Sequence, residues 1–288
     1  MDNLLLQLDT DKHPSAFDTI VAYDAGADHV LAYGNVVPGD VRGLVYGVMF
    51  TRGGSKLRHS AIFIGGSDVA VGEQLLAEAT AAFFGPVRVS VMLDSNGSNT
   101  TAAAAVLKLL SVTDVEGQRA VVLAGTGPVG YRAAMLLALE GAEVVLTSRR
   151  QERAEEAARR LETAGVHVTP LQVNDSASTA RALEGASVLV AAGTAGVPLV
   201  SQAQWSAVPT LRAMADVNAV PPVGIEGVKP NDDGVERAGV IAFGALGVGG
   251  LKMKIHKACI ARLFEQNDLV LDTRAIYEVG KQLLQRGD

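Results

Sequence analysis

Cysteine occurs once, at Cys259, so the 288 residues can form no internal disulfide, and a reducing, cytoplasmic setting is the expectation. Hydrophobic residues make up 48% of the chain, yet the apolar stretches are short and interrupted. None approaches the roughly 20 residues that a membrane-spanning helix needs, which excludes such a helix and makes a membrane partner unexpected. Positive charge is also in short supply. A formal net charge of −6 argues against a general nucleic-acid binder, whose phosphate contacts call for a basic surface. The start, Met1 to Asp9, has neither a basic region nor a cleavable signal pattern. No Ser-His-Asp or Cys-His arrangement is evident, and no metal site is expected.

What the chain does contain is a glycine turn in a complete βαβ context. Ala120 to Ala124 reads as a strand, Gly125-Thr126-Gly127-Pro128-Val129-Gly130 as the turn, Tyr131 to Gly141 as a helix, and Ala142 to Thr147 as the next strand. The glycines allow a tight bend and let backbone N–H groups approach a pyrophosphate at the helix start, where Pro128 suits the first helical position. An NAD site usually carries Asp or Glu about 20 residues past the first glycine. Here Thr147-Ser148-Arg149-Arg150 follows the second strand instead. A hydroxyl and two guanidinium groups suit a 2′-phosphate, which favours NADP, although Arg149 and Arg150 can also be read as the solvated start of a charged helix.

Along the chain, strands are expected at Leu4 to Leu8, His29 to Tyr33, Ala61 to Ile64 and Val87 to Leu93. Helices are expected over Pro14 to Tyr23, after Pro38, and over Asp68 to Phe84. This alternation predicts a parallel α/β domain ahead of the dinucleotide-binding one. The polar run Asp94 to Thr101 precedes a helix at Ala102 to Leu110, which Ser98 or Asn99 can cap. It lies where open α/β sheets bind ligands, and reads either as a ligand-facing loop or as a capped turn.

Further on, a charged helix to about Ala164, a strand at Val166 to Thr169, a helix around Ala177 to Leu183 and a strand at Ala186 to Ala192 are expected. Ala192 and Gly193 at the end of that strand are small enough for backbone to approach a cofactor. In the strand and loop Arg212 to Pro222, Asn218 is the candidate ligand contact and Asp216 a brace. Phe243 to Gly250 reads as a flexible run or hinge, followed by a helix from Leu251 to Phe264 and a terminal helix at Asp272 to Leu284. Lys252 and His256 share a helix face, which is either ligand-facing or a solvated edge, and Cys259 reads as core.

Several of these stretches together resemble one family, the NADP-dependent methylene-tetrahydromethanopterin dehydrogenases. They include Leu8-Asp9-Thr10-Asp11, Phe17-Asp18, Tyr33-Gly34-Asn35, Thr51-Arg52-Gly53-Gly54, Phe83 to Pro86, Asp94 to Thr101, Gly125 to Gly130, Asp216 to Ala219, Phe243 to Lys252 and Ala258 to Ala261. The resemblance runs over nearly the full length. It implies two parallel-sheet α/β domains separated by a cleft, the second a Rossmann-type NADP-binding domain. On this reading the pterin-binding domain is 1–105 with the C-terminal helices at about 251–288, and the dinucleotide-binding domain is 106–250. A homo-oligomer, trimer or hexamer, is implied as well. Some relatives also oxidise methylene-tetrahydrofolate, and others accept NAD.

The implied reaction moves a hydride from the methylene carbon of the pterin to the nicotinamide and leaves a methenyl cation, so no general base is required. Alignment, exclusion of water and negative potential are what that chemistry needs. Asp18 and Asp94 are the candidates for that potential, and surface or capping roles are open for both. Asn96, Ser98, Asn99 and Thr101 are implied to fix the pterin ring, with Lys252, Lys254 and His256 as partners from the other wall. Arg52, Lys56 and Arg58 are candidates for the anionic tail, or a solvated loop. Two alternatives stay open: a shikimate-type NADP-dependent oxidoreductase, and a non-catalytic protein that senses NADP(H).

Overall fold

In the computed structural model, which describes residues 1–286, the chain forms two compact units, Met1–Thr100 with the segment from Met253 onward, and Thr101–Lys252. The first unit carries β1 (Leu4–Asp9), α1 (Ala16–Asp24), β2 (His29–Tyr33), α2 (Pro38–Met49), β3 (Ser60–Gly65), α3 (Val69–Ala81), β4 (Ser90–Leu93) and the start of α4 (Ser98–Leu110). The second carries β5 (Arg119–Leu123), α5 (Pro128–Leu139), β6 (Glu143–Ser148), α6 (Gln151–Thr163), β7 (Thr169–Gln172), α7 (Ser176–Leu183), β8 (Ala186–Ala191), α8 (Gln202–Ser206), β9 (Ala213–Asp216), β10 (Asp233–Arg237), β11 (Val240–Phe243) and the start of α9 (Ala245–Arg262). Helix α9 leads back into the first unit, which ends with β12 (Val270–Leu271) and α10 (Thr273–Arg286).

Both units are α/β layers. The first sheet has the order β12-β4-β3-β1-β2, and every pairing in it is parallel. Parallel strands buried on both faces read as continuous apolar runs, and β3 and β4 are buried at every position. The second sheet has the order β10-β11-β9-β8-β5-β6-β7, parallel except for the β10–β11 hairpin. In each sheet the strand order reverses beside the first strand of the unit, at β1/β3 and at β5/β8. Ligands of open α/β sheets bind beyond the carboxyl ends of the strands at such reversals.

Three local expectations are corrected. The glycine run Phe243–Gly250 is no hinge, because α9 begins inside it at Ala245. A Cβ on Gly244 would lie 2.0 Å from the Lys229 carbonyl oxygen, and one on Gly247 would lie 2.1 Å from that of Asp232. Those glycines let a helix start pack directly on backbone. The strand expected at Val166 to Thr169 is instead β7 at Thr169–Gln172, since the chain before it is still closing α6, with Val166 N–H donating to the Leu161 carbonyl. Pro170 is tolerated there because β7 is an edge strand. Neither Ser98 nor Asn99 caps α4, a task that falls to Asp94.

Candidate functional site

Residue by residue, the glycine turn divides its labour. A Cβ on Gly125 would meet Leu146 Cγ at 2.7 Å, and one on Gly130 would meet Gly125 Cα at 2.8 Å and the Ala124 carbonyl oxygen at 2.9 Å. Both glycines are therefore demanded by packing within the chain. Gly127 is different, because its Cβ would reach nothing closer than 3.6 Å, ordinary van der Waals contact with the Ala124 and Ala192 carbonyl oxygens. Its missing side chain leaves room for something outside the chain. Gly127 also stands at the N-cap of α5 with no side-chain cap, so the first N–H groups of α5 are left for a ligand.

The basic loop sits one strand away and is tied to the turn. The Gly125 N–H donates to the Thr147 carbonyl at 2.8 Å and the Ala124 N–H to Thr147 Oγ1 at 3.3 Å. Gln172 Nε2 donates to the Arg149 carbonyl at 3.0 Å, which fixes the path of the loop while both guanidinium groups stay exposed. The N-terminus of α6, with Arg150 at its cap, has no side-chain cap either. Thr126, Gly127, Ser148, Arg149, Arg150 and Arg153 line one cavity of about 1440 Å³ together with Ala192 and Gly193. That volume exceeds the roughly 300–1,000 Å³ usual for a small-ligand site and suits an extended ligand such as a dinucleotide.

The cavity adds residues that sequence reasoning missed. Arg153 lies one turn along α6 from Arg149 and Arg150, and that spacing was a usable signal. Asn174, Val197, Pro222 and Lys229 come from loops, and Thr179 from α7, whose approach no spacing announces. Asn218, expected as a ligand contact, lies outside the cavity lining and is only 7% exposed. Its Oδ1 accepts from the Val220 N–H at 2.9 Å and its own N–H donates to Asp216, so it braces its loop. Asp216 is a brace too. Burial pushes its carboxyl above the usual carboxylate range, against the opposing effect of N–H groups from Ile225, Asn218 and Gly224.

One partly exposed ion pair holds the segment carrying Lys229 and Pro230. Arg237 forks onto Asp232 at 2.6 and 3.0 Å, and the Lys229 N–H donates to the same carboxylate at 2.8 Å. Burial alone would raise the Asp232 carboxyl, but the Arg237 hydrogen bonds and the Lys229 N–H bring it below its ordinary value. Arg237→Ala should lower the denaturant midpoint at neutral pH, since it takes both guanidinium hydrogen bonds from the Asp232 carboxylate. A carboxyl lowered by folding contributes stability above its unfolded pKa and loses it as pH falls through the folded value. Denaturant midpoints of parent and variant should therefore converge below the ordinary 3.8 of this group.

In the first unit, the carboxyl ends of β1, β3 and β4 bring Asp9, Gly65, Gly66 and Asp94 to one edge. A Gly65 Cβ would lie 3.5 Å from Asp18 Oδ2 and 3.6 Å from Asp9 Oδ2, so both carboxylates border the β1/β3 crevice. Asp9 is buried and accepts from the N–H groups of Asp11 and Ser15 at 2.9 Å each. Asp94 is 2% exposed, accepts from the N–H groups of Asn99 and Thr100 and takes the Thr100 hydroxyl at 2.6 Å. Asp18 is half-buried on the first turn of α1.

The expected polar cluster splits in the same way. Ser98 Oγ donates to the Ser95 carbonyl, while Asn99 donates to the Leu93 carbonyl and accepts from the Thr273 hydroxyl, and both side chains are buried. Asn96 is exposed and holds φ 54°, a left-handed conformation that Asn tolerates. Thr101 is half-buried.

His256 is not on a solvated edge. It is 1% exposed, its ring stacks on Phe63 at 5.5 Å and tilts against Phe17 at 6.4 Å, and its Nδ1 lies 3.9 Å from Asp94 Oδ2. Lys252 is half-buried and Lys254 is exposed. Cys259 is buried, as expected of a core residue, and burial pushes its thiol up.

Arg52, Lys56 and Arg58 lie at the opposite end of the sheet. Arg52 donates to the carbonyl oxygens of Asp2 and His59, and His59 Nδ1 is 2.9 Å from Asn3 Oδ1, all at the starts of β1 and β3. Beyond the carboxyl end of β1 the chain carries Lys12 and His13, both exposed. Among the described residues there is no cluster of three or more His, Cys, Asp or Glu fit for a metal ion, and no helix is long and apolar enough to cross a membrane.

Two parallel-sheet α/β units, one with an open glycine turn at a strand-order reversal, define the class: a two-domain protein of the Rossmann dehydrogenase type. Solved structures share that fold. Quinate dehydrogenase from Corynebacterium glutamicum in complex with NAD aligns with TM-score 0.52 and 14% identity over 98% of this chain and 100% of that one. The ligand-free 5-ketofructose reductase of a Gluconobacter species aligns with TM-score 0.50 and 18% identity over 98% and 99%.

Sequence comparison goes further. The profile of the N-terminal part of methylene-tetrahydromethanopterin dehydrogenase matches residues 16–96. The bifunctional protein MdtA of Methylorubrum extorquens is 50% identical over 97% of this chain and 98% of its own length. The NAD(P)-dependent methylenetetrahydromethanopterin dehydrogenase of the same organism is 33% identical over 94% and 95%. The chain belongs to the methylene-tetrahydromethanopterin dehydrogenase family.

Proposed function

We propose that the chain is a methylene-tetrahydromethanopterin dehydrogenase that uses NADP, with methylene-tetrahydrofolate as a second substrate, and works as a homo-oligomer. The observation that carries the cofactor reading is the space at Gly127, beside an uncapped helix N-terminus and three guanidinium groups on one cavity. When bound, the nicotinamide supplies a hydride acceptor. The N–H groups of Val129 and Gly130 would hold the pyrophosphate, and Ser148, Arg149 and Arg150 the 2′-phosphate, with Arg153 beside them.

The first unit supplies the pterin side. Asn96 is the exposed polar group of its loop, while Ser98 and Asn99 act through the shape of that loop. Asp18 is the carboxylate for the methenyl cation, because Asp9 and Asp94 are buried and accept the N–H groups of helix and loop starts. His256 holds the Phe63–Phe17 wall, and Lys252 and Lys254 orient the substrate by charge. Absorbance of NADPH with methylene-tetrahydromethanopterin tests this reading. Turnover should appear with NADP and fall at least tenfold in Asp18→Asn through kcat, about the loss of one charge-assisted contact in the transition state. Binding of NADP without turnover would point to a sensor instead.

A further inference from the structure

The cavity of the second unit has two chemically different ends. On the β6 side of the glycine turn it is lined by Ser148, Arg149, Arg150 and Arg153. On the other side, past β8, it is lined by Val197, Pro198, Pro221, Pro222 and Val223, of which the first four are exposed. The strand order there is β9-β8-β5-β6, so a dinucleotide with its phosphates at β5 and β6 runs on over the carboxyl ends of β8 and β9. The two loops at that end lie side by side, since a Cβ on Gly196 would be 3.9 Å from the Pro221 carbonyl oxygen.

One carboxylate closes the second of these loops at both ends. Asp216, the last residue of β9, accepts from the Asn218 N–H at 3.0 Å and from the Ile225 N–H at 2.7 Å. Its side chain is buried, and Gly224 crowds it: a Cβ there would lie 3.1 and 3.3 Å from the two carboxylate oxygens and 3.1 Å from Ala191 Cβ. The donors that hold it are backbone N–H groups of Ile225, Asn218 and Gly224. Burying a carboxylate costs free energy, and an apolar side chain would serve better if the strand end only had to pack. What the carboxylate adds is two oxygens that accept several N–H groups at once, which fixes the path of residues 219–223 between them.

We propose that Asp216 is a positioning residue for hydride transfer: by fixing the loop that carries Pro221 and Pro222, it holds an apolar wall against the nicotinamide without touching the ring itself. Such a wall keeps water from the ring and sets its orientation. The inference rests on the cofactor reading above and names the residue that governs the nicotinamide half. The adenosine half is held by the start of α5 and the basic loop, on the other side of β5 from Asp216. Asp216 therefore acts on one half of the cofactor and not on the other.

Asp216→Asn tests it, because the side chain keeps its size while one acceptor oxygen becomes a donor facing an N–H. Calorimetric titration with adenosine 2′,5′-bisphosphate, which carries the 2′-phosphate but no nicotinamide, should give the same affinity in parent and variant. With NADP and methylene-tetrahydromethanopterin, kcat should fall about tenfold, as expected for a slightly misplaced ring. The emission of bound NADPH, which reports the surroundings of the nicotinamide, should shift toward that of NADPH in water. Gly224→Ala presses on the same carboxylate with its charge intact and should move kcat and emission in the same direction by less. Circular dichroism shows that each variant folds, and Gly224→Ala carries the test alone if Asp216→Asn does not. Equal losses of bisphosphate and NADP affinity, or unchanged kcat and emission in the folded variants, overturn the proposal. A parent that binds neither NADP nor the bisphosphate overturns the cofactor reading, and this inference with it.

Discussion

Gly127→Ala is expected to fold like the parent and to bind NADP about thirtyfold more weakly, whereas Gly130→Ala, three residues on, is expected to lose stability. The contrast follows from what a methyl group meets at each site. At 127 it meets the chain only at 3.6 Å, so the protein accommodates it and the ligand does not. At 130 it meets the backbone of Gly125 and Ala124 at 2.8 and 2.9 Å, atoms that no side-chain rotation can move aside. Overpacking of this kind costs about 1–3 kcal/mol, and about 2 kcal/mol lost from binding is the thirtyfold effect. Isothermal titration beside thermal unfolding separates the two variants. Unchanged NADP affinity in a folded Gly127→Ala would remove the main support for the cofactor reading.

The second large effect concerns which dinucleotide binds. Arg149→Asp should weaken NADP by about a hundredfold, since it removes a charge-assisted contact worth about 1.5–3 kcal/mol and places a carboxylate against a phosphate dianion. NAD, which lacks that phosphate, should change by no more than a few fold. The geometry explains why position 149 matters: Gln172 holds its carbonyl from the next strand and the cavity takes its side chain. Equal losses for both cofactors would mean that Arg149 supports the loop and does not read the phosphate.

How much of this was legible in the sequence depends on whether local or distant contacts decide. The unit from β5 to β6 was readable because its signals are local: an apolar run, glycines at fixed offsets, a proline at the first helical position. The β10–β11 hairpin was missed. Its strand Asp233–Arg237 is polar and largely exposed, and its turn is Ala238-Gly239 at φ 47° and 83°, without the Asn-Gly or Asp-Gly that marks such turns. The glycine run at Phe243 misled for a related reason, since glycine serves close packing as readily as flexibility and only the neighbouring Lys229–Asp232 backbone decides between them.

The candidate site divides along the same line. Arg149 and Arg150 stand out by position, whereas Arg153 was missed although helix periodicity carries its signal. Ser98 and Asn99 looked ligand-facing because polar residues at a strand's carboxyl end usually are, but Leu93, Ser95 and Thr273 consume their hydrogen bonds. Arg52, Lys56 and Arg58 looked available to an anionic tail until the start of β3 put them at the amino end of the sheet. Charge is visible in a sequence, and the end of a sheet that a loop occupies is visible only once the strands are placed.

Following the hydrogen that moves tests the central claim most directly. With both methylene hydrogens of methylene-tetrahydromethanopterin replaced by deuterium and unlabelled NADP, one deuterium should be recovered on the nicotinamide ring of NADPH and the other on the methenyl carbon, with none released to water, because the proposed transfer needs no exchanging acid or base. Deuterium appearing in solvent, or the absence of NADPH in a protein that binds both ligands, would contradict it.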